Sequence, residues 1–176
     1  MRLVIELGLK LGLRDQEIMY AEWTDVDWEE SAFRVQGKKK WDFKVKDSKQ
    51  REIPCPTDLL ERLKAWKASH SETHLIVATS SDSPNTKLLR TLKRLAKRAG
   101  LNCKRCQGYD SELGECQEWT LHKLRRTYCT TLLRNDVDLK TVQHYLGHAD
   151  LGSTMRYLRP AVGRESQQRI NAIQWS

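Results

Sequence analysis

The feature that most constrains the fold is a change in the spacing of apolar side chains along the chain. Residues 2–11 place apolar side chains on one helical face. Three short runs, 33–35, 41–45 and 51–53, instead alternate apolar with polar residues and are predicted as antiparallel strands. Helical spacing returns from residue 57 onward. The chain is therefore predicted to be mostly α with a small three-stranded antiparallel sheet, an α+β fold in a single domain.

Capping residues indicate where the helices begin and end. Gly12 is predicted to end the first helix, and the second is expected over 16–23, followed by a turn at 25–27. Later helices are expected to begin at four polar positions: Thr57, Ser83, Thr120 and Asp138. Gly100 and Gly147 are predicted C-terminal stops, and two short segments, 151–158 and 161–172, complete the chain.

Charge and cysteine content narrow the class of protein. The net charge is +8 and the isoelectric point about 9.3, which favours a polyanionic partner such as nucleic acid. Glu6 and Lys10 interrupt the apolar N-terminal stretch, so neither a secretory signal nor a membrane span is predicted, and we expect a cytoplasmic protein. The five cysteines are an odd number, which favours reduced thiols or metal ligands over disulfides.

Two stretches carry residues suited to chemistry on a phosphate. His122 and Arg125 lie three positions apart, so on a helix they share one face, where a guanidinium fork and an imidazole could converge on an anion. The alternative is a helix with surface basic residues. Further along, Leu146-Gly147-His148 is followed nine positions later by Tyr157, which taken alone is as well explained as an amphipathic surface or core tyrosine.

Taken together, these residues resemble the tyrosine recombinases of the phage integrase family. The family has an arginine after a helix-ending Gly-Leu, a lysine in a hairpin eight residues before a proline, a His-x-x-Arg helix, and a Leu-Gly-His followed by a tyrosine. The matching residues, in chain order, are Arg14, Lys46 before Pro54, His122 with Arg125, and His148 with Tyr157. The resemblance implies the catalytic-domain fold of this family.

The resemblance also implies a mechanism for breaking and rejoining DNA. Arg14 and Arg125 would clamp the scissile phosphate, and Tyr157 would attack it, leaving a 3′-phosphotyrosyl link and a free 5′-hydroxyl. Neither a cofactor nor a catalytic metal is required, because the bond energy stays in the protein–DNA ester.

Proton transfer would fall to three further residues. By resemblance Lys46 protonates the leaving 5′-oxygen, His122 assists proton transfer at the tyrosine, and His148 hydrogen-bonds the phosphate. The same hairpin contains other lysines that compete with Lys46 for this role: Lys38, Lys39, Lys40, Lys44 and Lys49. For Lys44 the alternative is a solvated or backbone-contacting side chain.

The resemblance covers residues 1–176 as one C-terminal catalytic domain, and we expect the N-terminal core-binding domain of complete integrases to be absent. The expected partners are double-stranded DNA and further copies of the chain in a tetramer, with no membrane. Two other functions remain open. They are a non-catalytic, sequence-specific DNA-binding protein and an enzyme similar to type IB topoisomerases.

Cysteines in the segment 101–119, a predicted insertion, raise a separate question. Cys103-x-x-Cys106 followed by Cys116 has the spacing of a zinc half-site with a third ligand, and its alternative is a set of reduced surface thiols. The residues considered for a fourth ligand are Cys129, Asp110, Glu112 and, at the expense of its catalytic role, His122.

Overall fold

The computed structural model describes residues 1–46, 50–101, 103, 105–106, 116–150, 152–155 and 171. Tyr157 and the predicted segment 161–172, apart from residue 171, lie outside the described residues. Within the described ranges, no helix has both the length and the apolar character needed to cross a bilayer.

Helices dominate the described part of the chain, as predicted. Those helices are α1 (Arg2–Lys10), α2 (Asp15–Met19), α3 (Thr57–Ala68), α4 (Leu88–Arg98), α5 (Leu121–Arg134), α6 (Leu139–Leu146) and α7 (Gly152–Met155). One antiparallel sheet of three strands has the order β1 (Val26–Asp27), β2 (Ala32–Val35) and β3 (Arg51–Pro54). Phe33 lies opposite Val26 on one side and Ile53 on the other, which fixes the register of all three strands.

The sheet has the predicted number of strands, but one predicted strand is wrong. Residues 41–45 do not pair as a strand; β1 takes that place at the residues predicted as a turn. Phe43 and Val45 are buried and Lys44 is exposed, so the alternation itself is real. The backbone turns back on itself instead, because Asp42 is left-handed (φ 47°) and the Lys38 amide donates to the Phe43 carbonyl at 2.8 Å.

Helix boundaries follow the predicted caps in some places and not in others. Thr120 and Asp138 do precede helices, and the Asp138 carboxylate accepts from the Thr141 amide at 2.9 Å. By contrast, α4 begins at Leu88, because residues near Ser83 form a turn in which the Ser83 carbonyl accepts from the Thr79 amide. The second helix ends at Met19 rather than at residue 23.

Two glycines let α1 pack closely on α5. A Cβ at Gly8 would lie 2.9 Å from the Leu124 Cβ, so no larger residue fits at this crossing without movement. Gly12 is left-handed (φ 61°), and a Cβ there would lie 2.3 Å from a ring carbon of Tyr128. The Gly12-Leu13-Arg14 turn is therefore held directly against the helix that carries His122 and Arg125.

A buried ion pair joins α2 to the sheet. Both Glu17 carboxylate oxygens accept from Arg51, at 2.9 and 2.7 Å, and Arg14 donates to the same carboxylate at 2.8 Å. Burial alone would raise the pKa of Glu17, but the hydrogen bonds and charges of Arg51 and Arg14 outweigh burial and hold it below its ordinary value. Glu17 is therefore ionised in the core.

Removing this charge tests how far the fold depends on it. Glu17→Gln leaves buried guanidinium groups without their counter-ion, so we expect the free energy of unfolding in urea to fall by about 3 to 5 kcal/mol. Because the folded pKa of Glu17 is lowered, its contribution is present above the ordinary value of 4.5 and is lost as the pH falls through the folded value. The variant should accordingly lose less stability on acidification than the parent.

The matched control is Glu52→Gln, which removes an exposed carboxylate paired with exposed Arg34 at 3.1 Å. A solvated pair of this kind contributes little, so this variant should unfold like the parent. If the two substitutions lowered the free energy of unfolding equally, the buried Glu17 ion pair would not be a main determinant of stability.

Candidate active site

Three of the predicted site residues line one cleft of about 350 Å³. Arg14 lies at the start of α2, Lys46 in the loop before β3, and His122 in the first turn of α5. The other lining residues come from the same elements and from α4: Asp15, Leu89, Thr120 and Leu121. Side chains that are remote in sequence therefore meet around a space open to solvent.

The Arg14 side chain is fixed from two sides. Its Nη1 donates to Glu17 at 2.8 Å, and its Nη2 donates to the carbonyl of Gly147 at 2.8 Å. Gly147 ends α6 in the left-handed conformation (φ 57°), as its predicted role as a helix stop requires. Through this bond Arg14 is connected to the residue that precedes His148.

Arg125 lies deeper, with 2% of its surface exposed. Its Nη1 donates to the carbonyl of Gly12 at 2.7 Å, its Nη2 donates to the carbonyl of Leu146, and Nη1 lies 4.0 Å from a Glu17 oxygen. Arg125 therefore connects the turn before Arg14 to the end of α6, and it is not among the residues that line the cleft.

Sequence reasoning missed Arg51, which completes this arrangement. Its Nε donates to the carbonyl of Tyr145 at 2.7 Å, while both of its terminal nitrogens bind Glu17. Three consecutive carbonyls at the end of α6 thus each accept from a different arginine. We call these three arginines together with Glu17 the arginine frame. A signal was available, because Arg51 shares the inward parity of Ile53 in β3.

Both predicted histidines are held neutral at physiological pH. Burial and the charges of Arg125 and Arg14 lower the pKa of His148 to about 4. The same causes, burial first and then Arg125 and Arg14, lower the pKa of His122. His148 Nδ1 lies 2.7 Å from the buried hydroxyl of Thr154, and His148 lines a neighbouring cleft of about 450 Å³ rather than the cleft of Lys46. The arginine frame connects the two clefts.

The structure shows which of several competing lysines can reach the cleft. Lys38 is buried and ion-paired with Asp25 and, at 3.2 Å, with Glu22, so it is not available to a substrate. Lys44 and Lys46 are both exposed, but only Lys46 lines the cleft. Lys49 lies outside the described residues, as does Tyr157.

Three thiols of the predicted insertion come together within the connection between α4 and α5. The sulfur of Cys106 lies 3.2 Å from that of Cys103 and 3.9 Å from that of Cys116, and all three lie within 4.8 Å of one another. Cys129 and His122, two of the candidates for a fourth ligand, are not part of this group, nor is any other described histidine, cysteine or acidic residue. Asp110 and Glu112 lie outside the described residues.

The family profile and the similar proteins of known family all point to one family. Residues 1–164 match the sequence profile of the phage integrase family. The tyrosine recombinase XerA of Thermococcus onnurineus (strain NA1) is 30% identical over 182 residues, which cover 98% of this chain and 56% of that protein. The tyrosine recombinase XerC of Chromobacterium violaceum is 31% identical over 89% of this chain and 46% of its own length. This chain thus spans about half the length of these relatives.

Solved structures support the same fold. The Tn1549 transposon integrase in complex with transposon right end DNA superposes with a TM-score of 0.73 and 19% identity, over 97% of this chain and 58% of that one. The XerH site-specific recombinase bound to difH gives a TM-score of 0.68 and 22% identity, over 98% and 46% of the two chains. The predicted family and fold are confirmed, and this chain belongs to the phage integrase family of tyrosine recombinases.

Proposed function

We propose that this chain is the catalytic part of a site-specific recombinase that cleaves and rejoins DNA through a 3′-phosphotyrosyl intermediate on Tyr157. The observation that supports it most is the meeting of Arg14, Lys46 and His122 at one cleft, where Arg14 is held as part of the arginine frame. Each of these side chains has a task in moving a phosphoryl group without a cofactor. Tyr157, which lies within the range matched by the family profile, supplies the nucleophile.

Charge balance favours a phosphate at this cleft. The arginine frame holds three guanidinium groups against one carboxylate, and both neighbouring imidazoles are neutral, so positive charge is in excess. A scissile phosphate would neutralise that excess, and the growing charge on its oxygens would be stabilised by groups that are already fixed. In this proposal Arg14 and Arg125 clamp the phosphate, and Arg14 contacts it from the cleft.

Protons are supplied by the groups around the frame. Lys46 protonates the departing 5′-oxygen, because its ammonium group reaches the cleft from an exposed position. His122 assists proton transfer at the Tyr157 hydroxyl. If His148 Nδ1 accepts the hydroxyl proton of Thr154, its Nε2 carries a hydrogen and can donate to a phosphate oxygen.

The proposed partner is double-stranded DNA, on which copies of the chain act together as a tetramer in the cytoplasm. The net charge of +8 and the DNA-bound state of the solved Tn1549 integrase and XerH support DNA as the partner. We also propose that Cys103, Cys106 and Cys116 bind a structural zinc ion, because three thiol sulfurs within 4.8 Å of one another suit tetrahedral Zn²⁺.

The nucleophile is tested by trapping the covalent intermediate. A library of nicked duplexes with randomised centres allows the reaction to stall after cleavage, and SDS-resistant protein–DNA adducts are collected and sequenced. The parent chain should form adducts on a restricted set of sequences, and Tyr157→Phe should form none, because the phenol oxygen is the bond-forming atom. Tyr20→Phe, which keeps the ring stacked on Phe43, is the matched control and should react normally.

Other results of this assay would point to other functions. Sequence-selective DNA binding without any adduct from the parent chain would support a non-catalytic DNA-binding protein. Relaxation of supercoiled plasmid without a preferred sequence would support an enzyme similar to type IB topoisomerases. An adduct from Tyr157→Phe would contradict the assignment of the nucleophile.

The role of Lys46 is tested by changing the leaving atom. Lys46→Ala should slow cleavage of normal DNA by about 10²- to 10⁴-fold, since a poor leaving oxygen must be protonated. A 5′-bridging sulfur leaves without protonation, so on that substrate the variant should react at nearly the parent rate. Lys44→Ala, an exposed neighbour outside the cleft, should be normal on both. A defect that sulfur does not relieve would assign Lys46 to DNA contact instead.

The electrostatic origin of the neutral histidine is tested by NMR titration of labelled imidazoles. His148, assigned by its disappearance in His148→Gln, should titrate near pH 4, because burial and two guanidinium charges oppose its protonation. Arg14→Met removes one of those charges and should move the midpoint upward. A midpoint at the ordinary value of 6.5 in the parent chain would refute the arrangement.

A further inference from the structure

We infer that the three-thiol metal centre is a clasp that fixes the start of α5 and so sets the position of His122 in the active-site cleft. The inference rests on the proposed function and adds to it a means of control, since occupancy by Zn²⁺ would govern one catalytic group. Cys103, Cys106 and Cys116 would act as positioning residues, because they touch the metal and not the DNA.

The sulfur geometry fits a tetrahedral thiolate site. With Zn–S bonds of about 2.3 Å, sulfurs on neighbouring corners of a tetrahedron lie about 3.8 Å apart. The observed separations of 3.2 and 3.9 Å, with the third within 4.8 Å, bracket that value, so small side-chain movements suffice to bind the ion. Water can occupy the fourth corner.

Backbone amides point at two of the three sulfurs. The Gln117 amide donates to the Cys106 sulfur at 3.3 Å, and the amides of Arg105 and Cys106 donate to the Cys103 sulfur. Amide donors arranged around cysteine sulfurs stabilise thiolates, which are the metal-binding form of cysteine. Oriented donors of this kind would not be needed by thiols that serve only to fill space.

The position of the cluster in the chain explains why a clasp would be useful. The connection from the end of α4 at Arg98 to the start of α5 at Leu121 is long, and long connections need internal support to be ordered. Its two ends are already joined, since Trp119 Nε1 donates to the Leu101 carbonyl at 2.9 Å and Lys93 to the Gln117 side chain at 3.2 Å. A metal bound by Cys103 and Cys116 would lock that junction.

Only a few residues separate this junction from the active-site cleft. Cys116 precedes the N-cap Thr120 by four positions, and its carbonyl accepts from the Trp119 amide at 3.4 Å. Thr120, Leu121 and His122 line the cleft opposite Leu89 of α4. Displacement of the start of α5 would therefore move His122. Arg125, one turn later, is held independently by two backbone carbonyls.

The metal itself is measured first. The full chain, purified without added zinc, should contain about one zinc per chain by elemental analysis. Cys103→Ser and Cys116→Ser should lose it, and Cys55→Ala, which removes a buried thiol outside the cluster, should retain it. Cobalt(II) should give thiolate-to-metal charge-transfer absorption with the parent chain and not with Cys116→Ser. Metal-free parent protein without this absorption would overturn the site.

The clasp is tested by a double-substitution cycle. Cys116→Ser should slow adduct formation by about 10- to 100-fold while leaving DNA affinity unchanged, because a displacement of about 1 Å in a catalytic group can cost about 10²-fold in rate. If the metal acts through His122, Cys116→Ser should add little to the defect of His122→Ala. Additive defects, or a zinc-free variant that reacts at the parent rate, would refute the clasp even where zinc is bound.

A structural measurement separates this inference from the proposed function. Chelation of zinc should increase amide hydrogen exchange at the start of α5, and re-addition should restore protection, whether or not the chain cleaves DNA. Unchanged exchange there would refute the clasp. Absence of adducts from the parent chain, with zinc-dependent protection intact, would instead count against the proposed function alone.

Discussion

Three arginines share the end of one helix, and the rest of the structure is arranged around them. Each guanidinium group is stabilised there because it donates to a carbonyl at the end of α6 and because the Glu17 carboxylate offsets its charge. The last turn of a helix leaves carbonyls without partners inside the helix and carries partial negative charge, so it suits guanidinium donors. α1, α2, β3, α5 and α6 meet at this point, and the same bonds place Arg14 and Arg51 beside the two clefts.

This shared origin links stability to chemistry. A core containing three guanidinium groups and one carboxylate is not fully compensated. Burial, and after it the charges of Arg125 and Arg14, hold the pKa values of His122 and His148 below their ordinary value. An arriving phosphate would supply the missing negative charge beside guanidinium groups that are already fixed in place. The folding cost of concentrating positive charge is thus offset by Glu17, and the remaining excess is what a phosphate would recognise.

The features that depend on local sequence patterns are mostly predicted correctly. Those that depend on pairing between distant residues are mostly not. The three-residue spacing of His122 and Arg125, and the left-handed stop at Gly147, are properties of a single helix and were predicted correctly as positions on helices. The identity of β1 was not, because strand pairing depends on partners distant in sequence and the alternation at 41–45 was the stronger local signal. Arg51 was missed for a similar reason. An inward-facing arginine can be recognised only when its distant carboxylate partner is known.

The site residues differ in how they are held, and the difference matches the tasks proposed for them. Arg14 and Arg125 are fixed by backbone carbonyls, which suits groups that stabilise charge by being in place beforehand. Lys46 and His122 are exposed at the rim of the cleft, which suits groups that must take up or release a proton. Buried fixed charges and exposed proton carriers have different requirements. The fold meets the first with the arginine frame and the second with the loop before β3 and the start of α5, where the proposed metal clasp would act.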